Sequence, residues 1–103
     1  MDLGLSGKKA FIAGSSRGLG FATALVLAAE GCQVVINGRN QDSLQQSAAR
    51  IEDETGTKTG YVQGDASEPE LARELIKSAA AQLGGIDLLV TNTGGPPSGK
   101  FQS

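Results

Sequence analysis

Histidine is absent from all 103 residues, and with it goes a large part of enzyme chemistry: no Ser/His/Asp triad, no Cys/His pair and no histidine metal site can be assembled within this chain. Cysteine occurs once, at Cys32, so neither an internal disulfide nor a thiolate metal cluster can form. Standing at the start of an apolar run, Cys32 reads as a small core hydrophobe, and no metal ligand is assigned. Charge of one sign is lacking as well. A formal net charge of −2 and a pI near 5.0, with no local basic cluster, give a polyanion nothing to bind, so no nucleic-acid partner is expected. No apolar stretch approaches the length needed to cross a bilayer, and MDLGLSGKKAF lacks the pattern of a secretory signal. The expectation is a cytoplasmic protein without a membrane partner.

What is present is an ordinary globular composition, 39% hydrophobic and 19% charged, in a length that allows one domain or part of one. Short apolar runs alternate with segments of helical periodicity. Residues 10–13 form a continuous apolar run that ends in glycine, as a buried parallel strand does. From position 18 to 30 small and apolar residues dominate. Leu19, Ala22, Val26 and Ala29 recur at helical spacing and are expected to face the sheet, with Gly31 as the stop. A β-branched run over 33–37 then leads into an amphipathic helix with Leu44, Ala48 and Ile51 on one face, ending near Gly56.

A third strand is expected over 59–63. After it, Ser67 and Glu70 have the spacing of a capping box that opens a third helix, with Leu71, Leu75, Ala79 and Leu83 on its inner face. Gly84 and Gly85 end that helix, and 86–91 makes the fourth strand. The order βαβαβαβ implies right-handed crossovers. The expected fold class is α/β: four parallel strands in the order 3-2-1-4, with helices on both faces, as a partial Rossmann fold.

Gly14, Ser15, Ser16, Arg17, Gly18, Leu19 and Gly20 lie where the first strand meets the first helix. Glycines there permit a tight turn, let the backbone approach a pyrophosphate and allow helix and strand to pack closely. The free amides and positive dipole end of the helix favour a phosphate. The spacing Gly-x-x-x-Gly-x-Gly resembles the TGxxxGxG motif of the short-chain dehydrogenase/reductase family, with Ala13 in place of threonine. Two further stretches are similar to motifs of that family. GDAS around Asp65 and Ala66 matches the turn whose aspartate holds the adenine amino group, and TNTGG keeps Asn92 and Gly94 of the NNAG motif. Asp65 also reads as a turn residue accepting from nearby amides, and Asn92 as a strand-end cap; in a crevice at the strand ends the two kinds of role coexist.

The nucleotide can be chosen at the end of the second strand, where an acid would accept from both ribose hydroxyls. The segment instead reads Asn37-Gly38-Arg39, and a guanidinium there suits a 2′-phosphate. Arg17 can reach the same phosphate, so the expected cofactor is NADP(H). The resemblance further implies hydride transfer between nicotinamide and a ketone, a secondary alcohol or a 3-oxoacyl thioester, and a homo-oligomer when full length. The family's serine and Tyr-x-x-x-Lys have no match here, since Tyr61 is followed four residues on by Asp65. No catalytic residue is assigned. Residues 1–103 are expected to be the N-terminal part of one NADP(H)-binding domain, truncated before its catalytic half. The alternative is a non-catalytic nucleotide-binding or structural module, complete as given.

Overall fold

Four consecutive residues without a polar side chain, Ala10 to Ala13, can form a strand only where both faces are covered, and the central strand of the sheet is where they lie. The computed structural model describes residues 6–14 and 18–91. In chain order the elements are β1 (Lys9–Ala13), α1 (Gly18–Ala29), β2 (Gln33–Gly38), α2 (Gln41–Thr55), β3 (Thr59–Gln63), α3 (Pro69–Leu83) and β4 (Leu88–Thr91). All strand pairs are parallel, in the order β3-β2-β1-β4, as the alternation of strand and helix predicts. Among the described residues no helix is long and apolar enough to cross a membrane.

Successive side chains of a strand point to opposite faces, and two cores result. Ala10, Ile12, Val34 and Ile36 face α1 and α2, where they meet Ala24, Ala28, Leu44, Ala48 and Ile51. Phe11, Ala13, Val35 and Val62 face α3, where they meet Leu75 and Ala79. Each large aliphatic or aromatic side chain so buried contributes about 1.5–3 kcal/mol. α2 begins at Asn40, whose side chain accepts from the Ser43 N–H at 2.9 Å, and it ends at Gly56, whose left-handed φ of 74° turns its N–H back to Glu52 O.

Four local expectations need correction. The face of α1 bearing Ala22, Val26 and Ala29 is turned to solvent, with Val26 60% exposed, while Ala24 and Ala28 are buried. α1 is apolar on every side, so periodicity does not distinguish its faces. The smallest side chains take the sheet side because they let helix and strand backbones approach. The capping box does not form either. α3 starts after Glu68, which makes no side-chain capping bond, with Pro69 in the first turn; the Ser67 hydroxyl is donated to Asp65 instead. Leu71, placed on the inner face of α3 by its spacing, is exposed. Finally, β4 begins at Leu88 rather than 86. The Asp87 N–H donates to Lys9 O at 2.7 Å, and its carboxylate accepts the Lys9 N–H at 2.9 Å, so a side chain occupies the first rung of the ladder.

The two faces of α1 should respond differently to substitution. Val26→Ser is expected to change stability by no more than about 0.5 kcal/mol, whereas Ala24→Leu, which overfills a site with no free space, should cost about 1–3 kcal/mol. Urea unfolding midpoints compare the two. Equal effects would mean that α1 packs the other way round.

Candidate functional site

Parallel strands all deliver their carboxyl ends to one edge of the sheet, and in open α/β sheets that edge is where ligands bind. Three turns meet there: the one after β1, beginning at Gly14; the one after β2, carrying Arg39; and the one after β3, carrying Asp65 and Ala66.

Gly14 follows the last residue of β1 with φ 71°, a left-handed conformation that glycine adopts without strain. Gly18, Leu19 and Gly20 open α1, and Gly20 is buried. Ser15, Ser16 and Arg17 lie outside the described residues, as do Asn92 and Gly94. Arg39 is exposed one residue past β2. Its backbone carbonyl accepts from Gln63 Nε2 at 3.1 Å, tying the β2 turn to the end of β3, and among the described residues its guanidinium makes no ion pair.

Asp65 behaves as the turn residue that the sequence allows. Its Oδ1 accepts the Ser67 hydroxyl at 2.6 Å and the Ser67 N–H at 3.0 Å. Among the described residues Oδ2 has no hydrogen-bond partner, which leaves it able to accept one. The Ser67 hydroxyl, then the Ser67 N–H, and last the positive charge of Arg39 hold this carboxyl below its ordinary range. Arg39 and Asp65 thus stand as neighbours across two adjacent strand ends, an exposed cation beside a half-buried carboxylate, without closing into an ion pair.

Asn37 is a residue that sequence reasoning passed over. It is 1% exposed, and its amide joins the turn after β1 to the turn after β3: Oδ1 accepts the Gly14 N–H at 2.9 Å, and Nδ2 donates to Val62 O and Gly64 O, both at 3.0 Å. The available signal was a polar residue closing the apolar run QVVIN, where a core position is due. Cys32 is fully buried, and burial, with the Glu30 carboxylate adding to it, raises its thiol pKa. It lies at the amino end of β2, on the opposite edge from the three turns.

Tyr61 is half-buried in β3 and packs on the α1/α2 core, away from the edge where the turns meet.

The Asp65 turn gives a prediction with a definite sign. Ser67→Ala removes the strongest of its carboxyl's partners, so the Asp65 pKa should rise toward the ordinary value of about 3.9. Because the folded-state pKa is lowered, its contribution to stability is complete above the unfolded value and is lost as pH falls through the folded one. The stability gap between wild type and Ser67→Ala should therefore be widest near neutrality and close in strong acid. Carboxyl-carbon NMR titration reads the pKa directly, and an unmoved Asp65 would sever the link to Ser67.

The short chain dehydrogenase family model matches residues 8–103. Glucose 1-dehydrogenase of Gluconobacter oxydans is 37% identical over 89 residues, covering 86% of this chain and 34% of that protein. A 3-oxoacyl-[acyl-carrier-protein] reductase of Chlamydia muridarum is 33% identical over 90 residues, covering 87% and 36%. Among solved structures, L-sorbose reductase from Gluconobacter frateurii, complexed with NADPH and L-sorbose, superimposes with a TM-score of 0.86 at 38% identity, covering 92% of this chain and 36% of that one. An NAD+-bound xylitol dehydrogenase gives a TM-score of 0.75 at 28% identity, covering 82% and 32%. The chain spans about a third of the length of the curated relatives it matches. Matched over nearly its whole length, and with the strand order and glycine turn in place, the chain belongs to the short chain dehydrogenase family.

Proposed function

We propose that residues 1–103 form the NADP(H)-binding part of a cytoplasmic, homo-oligomeric oxidoreductase that moves a hydride between nicotinamide and a ketone, secondary alcohol or 3-oxoacyl thioester. The observation that carries the reading is Arg39: an exposed guanidinium, free of any ion pair among the described residues, stands just past β2, where an NAD(H)-binding chain would carry an acid. Solved relatives include one complexed with NADPH and one with NAD+ bound, so the choice of nucleotide rests on this chain's own residues.

The edge of the sheet fits such a dinucleotide. Gly14, in its left-handed conformation, lets the backbone come close to a pyrophosphate, and Gly18, Leu19 and Gly20 present the amino end of α1 to it. Ser15, Ser16 and Arg17 are assigned to the same contact from the motif alone. Arg39, and Arg17 with it, can pair with a 2′-phosphate through charge-assisted donors. Asp65, whose Oδ2 has no partner among the described residues, accepts from the adenine amino group, with Ala66 beside it, and Asn92 and Gly94 are assigned to the cofactor from the TNTGG motif. When bound, the cofactor supplies or accepts the hydride.

Arg39→Asp should narrow or invert the preference for NADPH over NADH, measured by titrating each cofactor into folded protein. An unchanged affinity ratio would make the arginine a bystander.

Proton transfer needs a positioned donor, and the only tyrosine, Tyr61, is packed against the core. The 103-residue chain offered NADPH with a panel of ketones and 3-oxoacyl thioesters is expected to show no NADPH oxidation above background. Turnover that vanishes on Tyr61→Phe would overturn that assignment.

A further inference from the structure

Asn37 is buried at the end of an apolar run, and it is the only side chain among the described residues bonded to the turns after both β1 and β3. Backbone pairing of β1 with β2 ends at Ile12 opposite Ile36, so the Gly14 N–H lies beyond the ladder with no strand carbonyl to receive it. Asn37 Oδ1 takes that N–H at 2.9 Å, while Nδ2 spends both its hydrogens on Val62 O and Gly64 O, at 3.0 Å each. A buried amide with donors and acceptor matched is stable; with either side removed it leaves orphaned backbone groups. Gly14 opens the glycine turn, and Gly64 immediately precedes Asp65. The planar amide is rigid, so beyond the strand ladders and the Gly64 N–H to Gly38 O bond, one side chain links the two turns directly across β2.

We infer that Asn37 is a positioning residue for the dinucleotide: it holds the glycine turn and the Asp65 turn at the separation that lets one ligand engage both. This rests on the cofactor reading above. Asn37 makes no contact with the ligand in this arrangement. It acts through the Gly14 amide on one side and the Gly64 carbonyl on the other. A ligand that touches both turns depends on their spacing, and a ligand confined to one turn does not, because the gain from linking two contacts is lost when they cannot be made together.

That difference separates positioning from simple stabilisation. NADPH spans the two turns, whereas adenosine, which lacks the 2′-phosphate that Arg17 of the glycine turn can reach, touches only the Asp65 turn. Binding of both is measured by calorimetry on the wild-type chain, on Asn37→Ser, and on whichever of Ile51→Val or Leu44→Ala matches the loss of urea midpoint in Asn37→Ser, at a temperature where circular dichroism shows each folded. Asn37→Ser should weaken NADPH on the order of ten-fold while leaving adenosine nearly unchanged, and the matched core variant should alter neither. Equal losses for the two ligands, or an equal NADPH loss in the core variant, would reduce Asn37 to a structural role and overturn the inference. Wild-type protein that binds neither ligand would overturn the cofactor reading itself and this inference with it. Amide exchange in the wild type needs no folded variant: adenosine should slow exchange at Gly14 through the Asn37 bridge, and an unaltered Gly14 rate in the presence of bound adenosine would also overturn the inference.

Discussion

A strand paired along both edges and covered on both faces has no route to water, and β1 is such a strand. Each of its backbone groups must be met by a neighbouring strand, and each side chain by a helix. The parallel order follows, because only crossovers can return the chain to either side of β1 while laying helices over both faces. The small side chains of α1 follow too: Ala24 and Ala28 are fully buried against the sheet. So does the glycine at the end of β1, since the chain must turn sharply from a buried strand into a closely packed helix.

The same parallel arrangement collects chemistry at one edge. Residues far apart in sequence, Gly14, Arg39 and Asp65, come together because each follows the carboxyl end of a strand. Their side chains differ in how firmly they are held. Asp65 is held by Ser67 and shifted in pKa by it; among the described residues Arg39 is bonded through its backbone carbonyl and its guanidinium makes no ion pair.

The fold was legible in the sequence wherever polarity varied along an element. α2 alternates polar residues with Leu44, Ala48 and Ile51, and its buried face came out as expected. α1 carries no such contrast, so its inner face was unreadable without knowing that close packing selects alanine. The start of α3 was misread because Ser67 could serve two masters, the helix amides or Asp65, and only the turn geometry decides between them. Asp87 hid the true start of β4 for a similar reason, a side chain standing in for backbone. In the site, Gly14 and Asp65 were visible through motif spacing and Arg39 through the missing acid. Asn37 was not, because a buried bridge across three strands joins residues 23 and 27 positions away, and no local pattern records it.

The central position of β1 also governs the order in which the sheet can assemble. Gly14, just after β1, bonds Asn37 of β2 across 23 positions, and Lys9, the first residue of β1, bonds Asp87, just before β4, across 78. Closing the longer loop costs about 1 kcal/mol more in chain entropy, and every strand pairing is non-local, so folding is expected to be slow for a chain of this length. During synthesis, at roughly 5–20 residues per second, β1 and β2 can meet early. One edge of the most apolar strand then waits several seconds for β4 to emerge. A nascent chain in that interval presents an open, hydrophobic β edge, the kind of surface on which unpaired strands associate.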